Sequence, residues 1–419
     1  MRAEILATGD EIRTGALVDS NSAYIADHLE RLGVAVGRHH CVGDDLESLT
    51  PMLLEIGARA DVAVVTGGLG PTVDDRSCQA AAEAAGVELV LNRQALAWIE
   101  QFFKERCRPC SESNKKQAFV PQGAQIFENS VGTAPGFGLR IKKCRFFFVP
   151  GVPVEMKPML RHEVLPQIKR LIGGQRQYSL VRTLSTFGLP ESVVGEKIDG
   201  ILEAFPEIVP GLRAKFPEIQ VKLYLRTDDA QKGRQMLNDA GEWVARRLGS
   251  HLFSREGHSL AETVGRLLLA RGATLAVAES CTGGLIGDWL TNSAGSSDYF
   301  RLSAVAYHNQ AKIALLGVSE KTLRLNGAVH ETIAGEMAQG ARRAVASTYG
   351  LATTGIAGPG GGSQDKPVGT VCIAVATAQE TVARRLHLSF GLRLTNKRNF
   401  AAAALDMLRR VMLKADLPP

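Results

Sequence analysis

Three times in its first 75 residues the chain passes from a short β-prone run into a glycine-punctuated, acidic loop and then into a helix-periodic segment. That order is the pattern of parallel βα units, in which each strand is bridged to the next by an amphipathic helix. Arg2 to Thr8, Val34 to Val42, Asp61 to Thr66 and Cys144 to Val149 read as strands. Ile25, Leu29 and Leu32, and then Leu49, Leu53 and Ile56, keep helical spacing. A sheet covered by helices is expected over residues 1–172.

The loops are Thr8 to Gly15, Gly43-Asp44-Asp45, and Thr66-Gly-Gly-Leu-Gly-Pro-Thr-Val-Asp-Asp75. They fall after strands, where open α/β sheets place ligands. Glycines there admit backbone amides to phosphate oxygens, and the helix N-terminus that follows adds partial positive charge. Carboxylates beside a phosphate need a divalent cation between them, which makes Asp10, Glu11, Asp45, Asp74 and Asp75 candidate metal or water-activating groups. A helix cap fits Asp74 or Asp75 equally well.

Gly173-Gly174-Gln175 interrupts the pattern, and residues 176–254 read as a small α+β connector, with strands near 178–187 and 219–226 and helices near 191–205 and 230–248. Ser254 to Gly257 marks a second boundary. Residues 258–416 form a further α/β domain, with strands expected at 274–278, 303–308, 351–356, 369–376 and 383–389 and a last helix from about Asn396 to Lys414. A chain of 419 residues exceeds one core of roughly 100 to 200 residues, in agreement with this division.

In the third domain a strand runs into Glu279-Ser-Cys-Thr-Gly-Gly284. A serine on such a turn is exposed at the sheet edge, with backbone amides behind it that can hold an oxyanion or a phosphate. Ser280 as a helix cap and Cys281 as the nucleophile are both open readings. Tyr307 and Lys312 supply neighbouring proton acceptors, provided burial lowers the lysine pKa from about 10.4. A second glycine turn, Thr353 to Gly362, can wrap a flat ring or a phosphate, and Arg393 and Arg398 can pair with a phosphate.

No apolar run approaches the roughly 18 residues that cross a bilayer, and the first residues enter a strand without a signal-like segment, so a cytoplasmic protein is expected. Seven scattered cysteines argue for reduced thiols, and Cys107-Arg-Pro-Cys110 lacks the second pair that a structural zinc site needs. The net charge of +6 is spread along the chain, with no nucleic-acid-binding motif.

Gly9-Asp-Glu-Ile12, Asp19-Ser-Asn21, Val42 to Asp45, Thr66 to Thr72 with Asp74-Asp75, Asn114 to Gln117, Gly132 to Phe137 and Pro150 to Pro153 stand together as they do in the CinA family. Glu279 to Gly284, Tyr307 with Lys312, Leu316-Gly-Val318, Gly327-Ala-Val329, Thr353 to Gly362 and Lys366 to Gly369 resemble its C-terminal, PncC-like domain. The resemblance implies a molybdopterin-binding-like three-layer α/β domain, a KH-like connector and a C-terminal α/β deamidase domain.

It further implies hydrolysis of nicotinamide mononucleotide to nicotinate mononucleotide and ammonia. In that reading Ser280 is the nucleophile, Lys312 and Tyr307 handle protons, and Thr282, Gly283, Thr354, Gly355, Gly358, Arg393 and Arg398 hold substrate, with no cofactor. For the N-terminal half it implies a metal-dependent ADP-ribose pyrophosphatase. The nucleotide site there is Gly9, Asp10, Glu11, Asn21, Asp45, Gly67, Gly68, Gly70, Thr72 and Asp75, with a divalent metal on Asp10, Asp45 and Asp75. A homodimer acting on small nucleotides, without membrane or direct nucleic-acid contact, is the expected setting. The alternatives are a silent pterin- or nucleotide-binding protein and an interaction protein of competence or DNA repair. The chain departs from the family pattern at Leu302-Ser303, His308, His330 and Leu392, and a leucine at 302 has the bulk to crowd a pocket that glycine leaves open.

Overall fold

The computed structural model describes residues 1–173 and 178–414. The first expected boundary, at Gly173-Gly174-Gln175, and the ends placed at 176 and 416 fall wholly or partly outside the described residues. By Cα proximity the chain divides into two compact units, Met1–Leu180 with Arg226–Gly233, and Val181–Leu225 with Arg234–Pro419.

The first unit is built on a six-stranded sheet. Its strands are β1 (Arg2–Thr8), β2 (Ala35–Val42), β3 (Val62–Thr66), β6 (Gln125–Phe127), β7 (Gly136–Ile141) and β8 (Cys144–Val149), in the order β2-β1-β3-β8-β7-β6. A separate ribbon pairs β4 (Leu89–Leu91) with β5 (Phe119–Pro121). Strands β2, β1, β3 and β8 run parallel, and β7 and β6 join antiparallel. Both faces of β1, β3 and β8 are buried, as continuous apolar runs require when helices cover a sheet on two sides. Leu53, Val65 and Phe146 pack on one face and Ile5, Ile25 and Val64 on the other, which makes the three layers. The parallel strands therefore bring the loops after β1, β2, β3 and β8 to one sheet edge.

Strands β9 (Tyr178–Thr186), β10 (Ile208–Lys215), β11 (Glu218–Thr227) and β12 (Leu252–Ser254) form the connector sheet, ordered β10-β11-β9-β12. Strand β10 is absent from the sequence reading because Pro210-Gly211 argue against a strand. It lies at the sheet edge, where a proline costs no ladder hydrogen bond.

The C-terminal sheet is β13 (Leu275–Glu279), β14 (Phe300–Val305), β15 (Tyr349–Gly355), β16 (Thr370–Ala376) and β17 (Thr381–His387), ordered β14-β13-β15-β16-β17. Strands β14, β13 and β15 run parallel, β16 and β17 join antiparallel, and helices cover both faces of the sheet. Leu260–Ala270, Leu285–Thr291 and Arg393–Leu413 lie on one side, and Asn309–Leu316 and Glu331–Ala344 on the other. Strand β14 ends three residues earlier than its apolar pattern suggests, because Tyr307 leaves the sheet and His308 caps the next helix, its Nδ1 accepting from the Gln310 amide. His330 does the same for the Glu331–Ala344 helix through the Thr332 amide. Among the described residues no helix is long and apolar enough to cross a membrane.

Two helices on one face meet at Gly340, where an added Cβ would lie 2.0 Å from the Leu316 carbonyl oxygen. Gly340→Ala must force the helices apart, at a cost of about 1 to 3 kcal/mol. A lowered thermal midpoint for the C-terminal unit, followed by circular dichroism, is the expected outcome.

Candidate functional site

Glu279 is the last residue of β13 and has no solvent exposure. Its carboxylate accepts from the amides of Gly284 (2.9 Å), Ile286 (3.1 Å) and Gly287 (2.9 Å) and from the Ser303 hydroxyl (3.2 Å). Three amides at the start of the Leu285–Thr291 helix, those of Gly284, Ile286 and Gly287, are thus consumed internally and cannot serve a ligand. Within the turn, Ser280 N–H donates to the Thr353 carbonyl and Gly283 N–H to the Ser280 carbonyl. The Cys281 and Thr282 amides are left without a protein acceptor among the described residues. Gly283 and Gly284 hold positive φ, which lets the turn fold back sharply behind Ser280.

A cavity of about 280 Å³ opens in front of this turn, lined by Ser280, Cys281, Tyr307, Lys312, Thr354 and Arg393 together with the glycine turn at Gly355, Gly358, Gly360 and Gly361. Lys312 is only 1% exposed. Its Nζ donates to the carbonyls of Ala306 (2.9 Å) and Tyr307 (3.2 Å). Burial lowers its pKa below the ordinary lysine value. A neutral amine has two N–H donors and one lone pair, so two carbonyl acceptors satisfy it and leave the lone pair for a proton.

The same burial pushes the Cys281 thiol up to about 12, which disfavours the thiolate. Tyr307 sits at the rim with its hydroxyl accepting from Arg393 Nη2 at 2.7 Å, and Arg393 Nη1 donates to the Gly358 carbonyl at 2.6 Å. The Thr354 hydroxyl donates to the Ala328 carbonyl at 2.8 Å. Asn396, fully buried, ties the last helix to the glycine turn through the Ala357 carbonyl.

Three residues named for this site lie elsewhere. Thr282 is wholly buried and shares a hydrogen bond with Thr353 at 2.8 Å, bracing the turn from behind. Gly283 lies outside the lining, beside Lys397. Arg398 borders another cavity with Trp289 and Asn292. Five residues along a helix, at roughly 100° each, turn it about 140° away from Arg393. Leu302 does not crowd the cavity, since it packs into the opposite core with Ala278 and Leu316. Leu392 is an exposed N-cap residue without a capping bond. Asn309 lines the cavity unannounced, because one asparagine after a strand carries no signal of its own.

The N-terminal unit has a cleft of about 540 Å³ at the sheet edge. Gly9, Glu11, Asn21, Gly67, Gly68, Gly70 and Asp75 line it as expected, joined by Asp19, Asp44, Asp74, Gln117 and Glu155. No Lys, Arg or His is among its lining residues. A side chain at Gly67 would lie 2.4 Å from the Thr8 carbonyl, so the strand ends meet only because this residue is glycine.

Asp10, Asp45 and Thr72 do not line the cleft. Asp10 pairs with Arg13 at 2.9 Å, and Asp45 caps the Leu46–Arg59 helix through the Ser48 amide at 2.7 Å. Asp75 accepts from the Thr72 amide and hydroxyl. The trio Asp10, Asp45 and Asp75 is therefore engaged separately, and no group of three such ligands converges among the described residues. As arranged, these residues do not fit a divalent metal. Asp44, not Asp45, faces the cleft, and burial, reinforced by Asp10, Glu11 and Asp74, raises its pKa. Thr8 Oγ1, Asn21 Oδ1 and Gln117 Oε1 are buried at this cleft without partners.

Residues 257–412 match the family described as CinA C-terminal domain, 4–170 that of a probable molybdopterin binding domain, and 181–254 the Damage-inducible protein CinA KH domain. The chain is 50% identical over 413 residues to a CinA-like protein of Desulfosudis oleivorans, covering 99% of this chain and 100% of that one. It is 41% identical over 413 residues to a CinA-like protein of Geobacter metallireducens, covering 99% and 100%. Among solved structures, the protein CinA from Thermoplasma acidophilum is similar at 31% identity and a TM-score of 0.37, over 40% of this chain and 97% of that one. A competence/damage inducible protein from Agrobacterium tumefaciens is similar at 36% and 0.35, over 37% and 96%.

Because the folded pKa of Lys312 lies below 10.5, the unfolded chain binds the extra proton between the two values, and folding stability must rise with pH across that window. Below the folded pKa the full cost of charging the buried amine persists. Urea titrations at a series of pH values should show this rise in the parent protein and its absence in Lys312→Met.

Proposed function

The chain belongs to the CinA family, and from that premise we propose that its C-terminal domain is a nicotinamide-nucleotide amidase, hydrolysing nicotinamide mononucleotide to nicotinate mononucleotide and ammonia. The observation that carries this reading is Lys312, a buried amine of lowered pKa whose donors are taken by two carbonyls, lining one small cavity with Ser280. The volume lies at the low end of ligand pockets, roughly 300 Å³ upward, and suits one ring with its carboxamide better than a dinucleotide.

The Ser280 hydroxyl gives its proton to the Lys312 lone pair as Oγ attacks the carboxamide carbon. The oxyanion is held by the unspent amide of Cys281, worth about 3 kcal/mol. Lys312 returns the proton to the departing nitrogen, the C–N bond breaks and ammonia leaves. Water then attacks the acyl ester, losing its proton to Lys312, and Ser280 is restored as the acid departs. Arg393 is the phosphate partner at the mouth, and Tyr307 orients it while its own O–H can reach the leaving group.

For the N-terminal cleft we propose nucleotide binding, with the pyrophosphate of ADP-ribose as its target. Unpartnered acceptors on Asn21 and Gln117 favour a ligand rich in hydroxyl and amino donors. With carboxylates as the only charged side chains of its lining, the cleft takes an anionic ligand only with an added cation.

Purified protein should release ammonia from nicotinamide mononucleotide, and Ser280→Ala should reduce the rate at least about a thousandfold with the fold retained. Release that survives this change removes Ser280 from the chemistry. The kcat/KM profile should rise with pH as Lys312 loses its proton, with a midpoint below the ordinary lysine value. Lys312→Arg, which keeps its charge, should abolish that limb. In the cleft, Gln117→Leu should weaken ADP-ribose roughly tenfold by calorimetry with magnesium present. Binding without AMP formation would identify a silent binding protein instead.

A further inference from the structure

The second unit holds a larger cavity that shares no lining residue with the Ser280 site. It encloses about 880 Å³ between the connector, at Phe187–Glu191 and the β10–β11 hairpin, and the last helix of the C-terminal domain. Its mouth is aromatic. Phe216 and Phe390 are 42% and 53% exposed and meet edge to face, with ring centroids 5.2 Å apart at 75°. Large rings left open to water beside a concavity offer flat apolar faces to a planar ligand.

The polar character of the interior is concentrated at a few points. Asp406, on the last helix, already accepts from both Arg409 and Arg410, so its oxygens are spent. Two turns before it, Asn399 is only 5% exposed and lines the cavity, yet its amide has no hydrogen-bond partner among the described residues. Ala403 stands between the two and keeps the floor low. Across the cavity, Glu218 has one carboxyl oxygen accepting from the Leu260 amide at 2.8 Å and the other buried without a partner. A buried polar atom left unpaired is costly, and the lone Glu218 oxygen together with the unpaired amide of Asn399, both on residues that line one cavity, points to a ligand with polar groups of its own.

We infer that this cavity is a second ligand site that takes an adenine-type purine, as the base or its nucleoside. The Asn399 amide presents a donor and an acceptor side by side, which pairs in two hydrogen bonds with the amino group and ring nitrogen on one edge of adenine. Guanine and hypoxanthine present two acceptors there and lose one of these bonds. The buried Glu218 oxygen accepts a further N–H or a ribose hydroxyl, and Phe216 and Phe390 cover the ring. The lining carries the carboxylates of Glu191, Glu218 and Asp406 against one guanidinium, Arg410, with His251 and His387 as its only other titratable groups, so phosphates belong outside it. The volume is within the range of roughly 300 to 1,000 Å³ usual for small-molecule sites and accommodates a nucleoside.

Adenosine added to the full-length protein, followed by isothermal titration calorimetry and saturation-transfer NMR, tests this. Saturable binding is expected, with inosine at least about tenfold weaker and Asn399→Leu costing a similar factor. Phe390→Ala, at an exposed rim position that does not threaten folding, should also weaken it. Ser280→Ala and Asn21→Ala, in the two other sites, should leave it in place. The proposal is overturned if adenosine shows no saturable binding, if inosine binds equally, or if Asn399→Leu and Phe390→Ala both leave binding unchanged. Loss of all adenosine binding in Asn21→Ala would also overturn it, by moving the purine to the N-terminal cleft.

Discussion

Everything in the C-terminal site hangs from the carboxylate of Glu279. A buried charge is tolerable only when its lone pairs are filled, and here three amides and a hydroxyl fill them. The consequence reaches beyond stability. By taking three of the amides that a helix N-terminus would otherwise offer to an anion, Glu279 leaves the Cys281 amide, beside Ser280, as the unspent donor among the residues that line the cavity at this turn. The strand end, the turn and the helix start become one rigid piece, which is what a preorganised oxyanion site requires.

Burial acts on the two neighbours of that turn in opposite senses and to one effect. It raises the Cys281 thiol and lowers the Lys312 ammonium, so both groups are pushed toward neutrality. A neutral thiol is a poor nucleophile, whereas a neutral amine is a base. The low-dielectric surroundings thus select serine with lysine over cysteine at a turn whose sequence offers both. Carbonyls at Ala306 and Tyr307 complete the selection, since they bind the amine's hydrogens without supplying a negative charge that would hold the proton on.

Much of this was legible because motif residues sit at strand ends, and strand ends of a parallel sheet converge. Ser280, Tyr307, Lys312, Thr354 and Arg393 come together for that reason. What failed to read out was side-chain direction. Arg398 belongs to the right helix but the wrong face. Thr282 belongs to the right turn but points into the core, where it meets Thr353. Asp44 and Asp45 differ by one position, and the cap that the Leu46–Arg59 helix needs takes Asp45, leaving Asp44 for the cleft. Neighbouring residues of one chemical type cannot be told apart by spacing, only by which of them a helix end claims. Strand β10 was hidden by Pro210, whose meaning depends on whether a strand lies at an edge, and a linear reading does not show that.

The two candidate sites differ in what the protein supplies. The C-terminal cavity holds a hydroxyl, a buried amine and a guanidinium, groups that suit the proposed amide hydrolysis. The N-terminal cleft holds acceptors and carboxylates, and its lining includes no basic side chain. A phosphate entering the second must bring or recruit positive charge, because uncompensated carboxylates repel it through a partly desolvated gap. The raised pKa of Asp44 is the same repulsion and desolvation seen from the protein's side, a cleft already short of cations before any ligand arrives. Ionic conditions should therefore govern the N-terminal domain far more than the C-terminal one, although both use the same architectural device, loops gathered at the carboxyl ends of parallel strands.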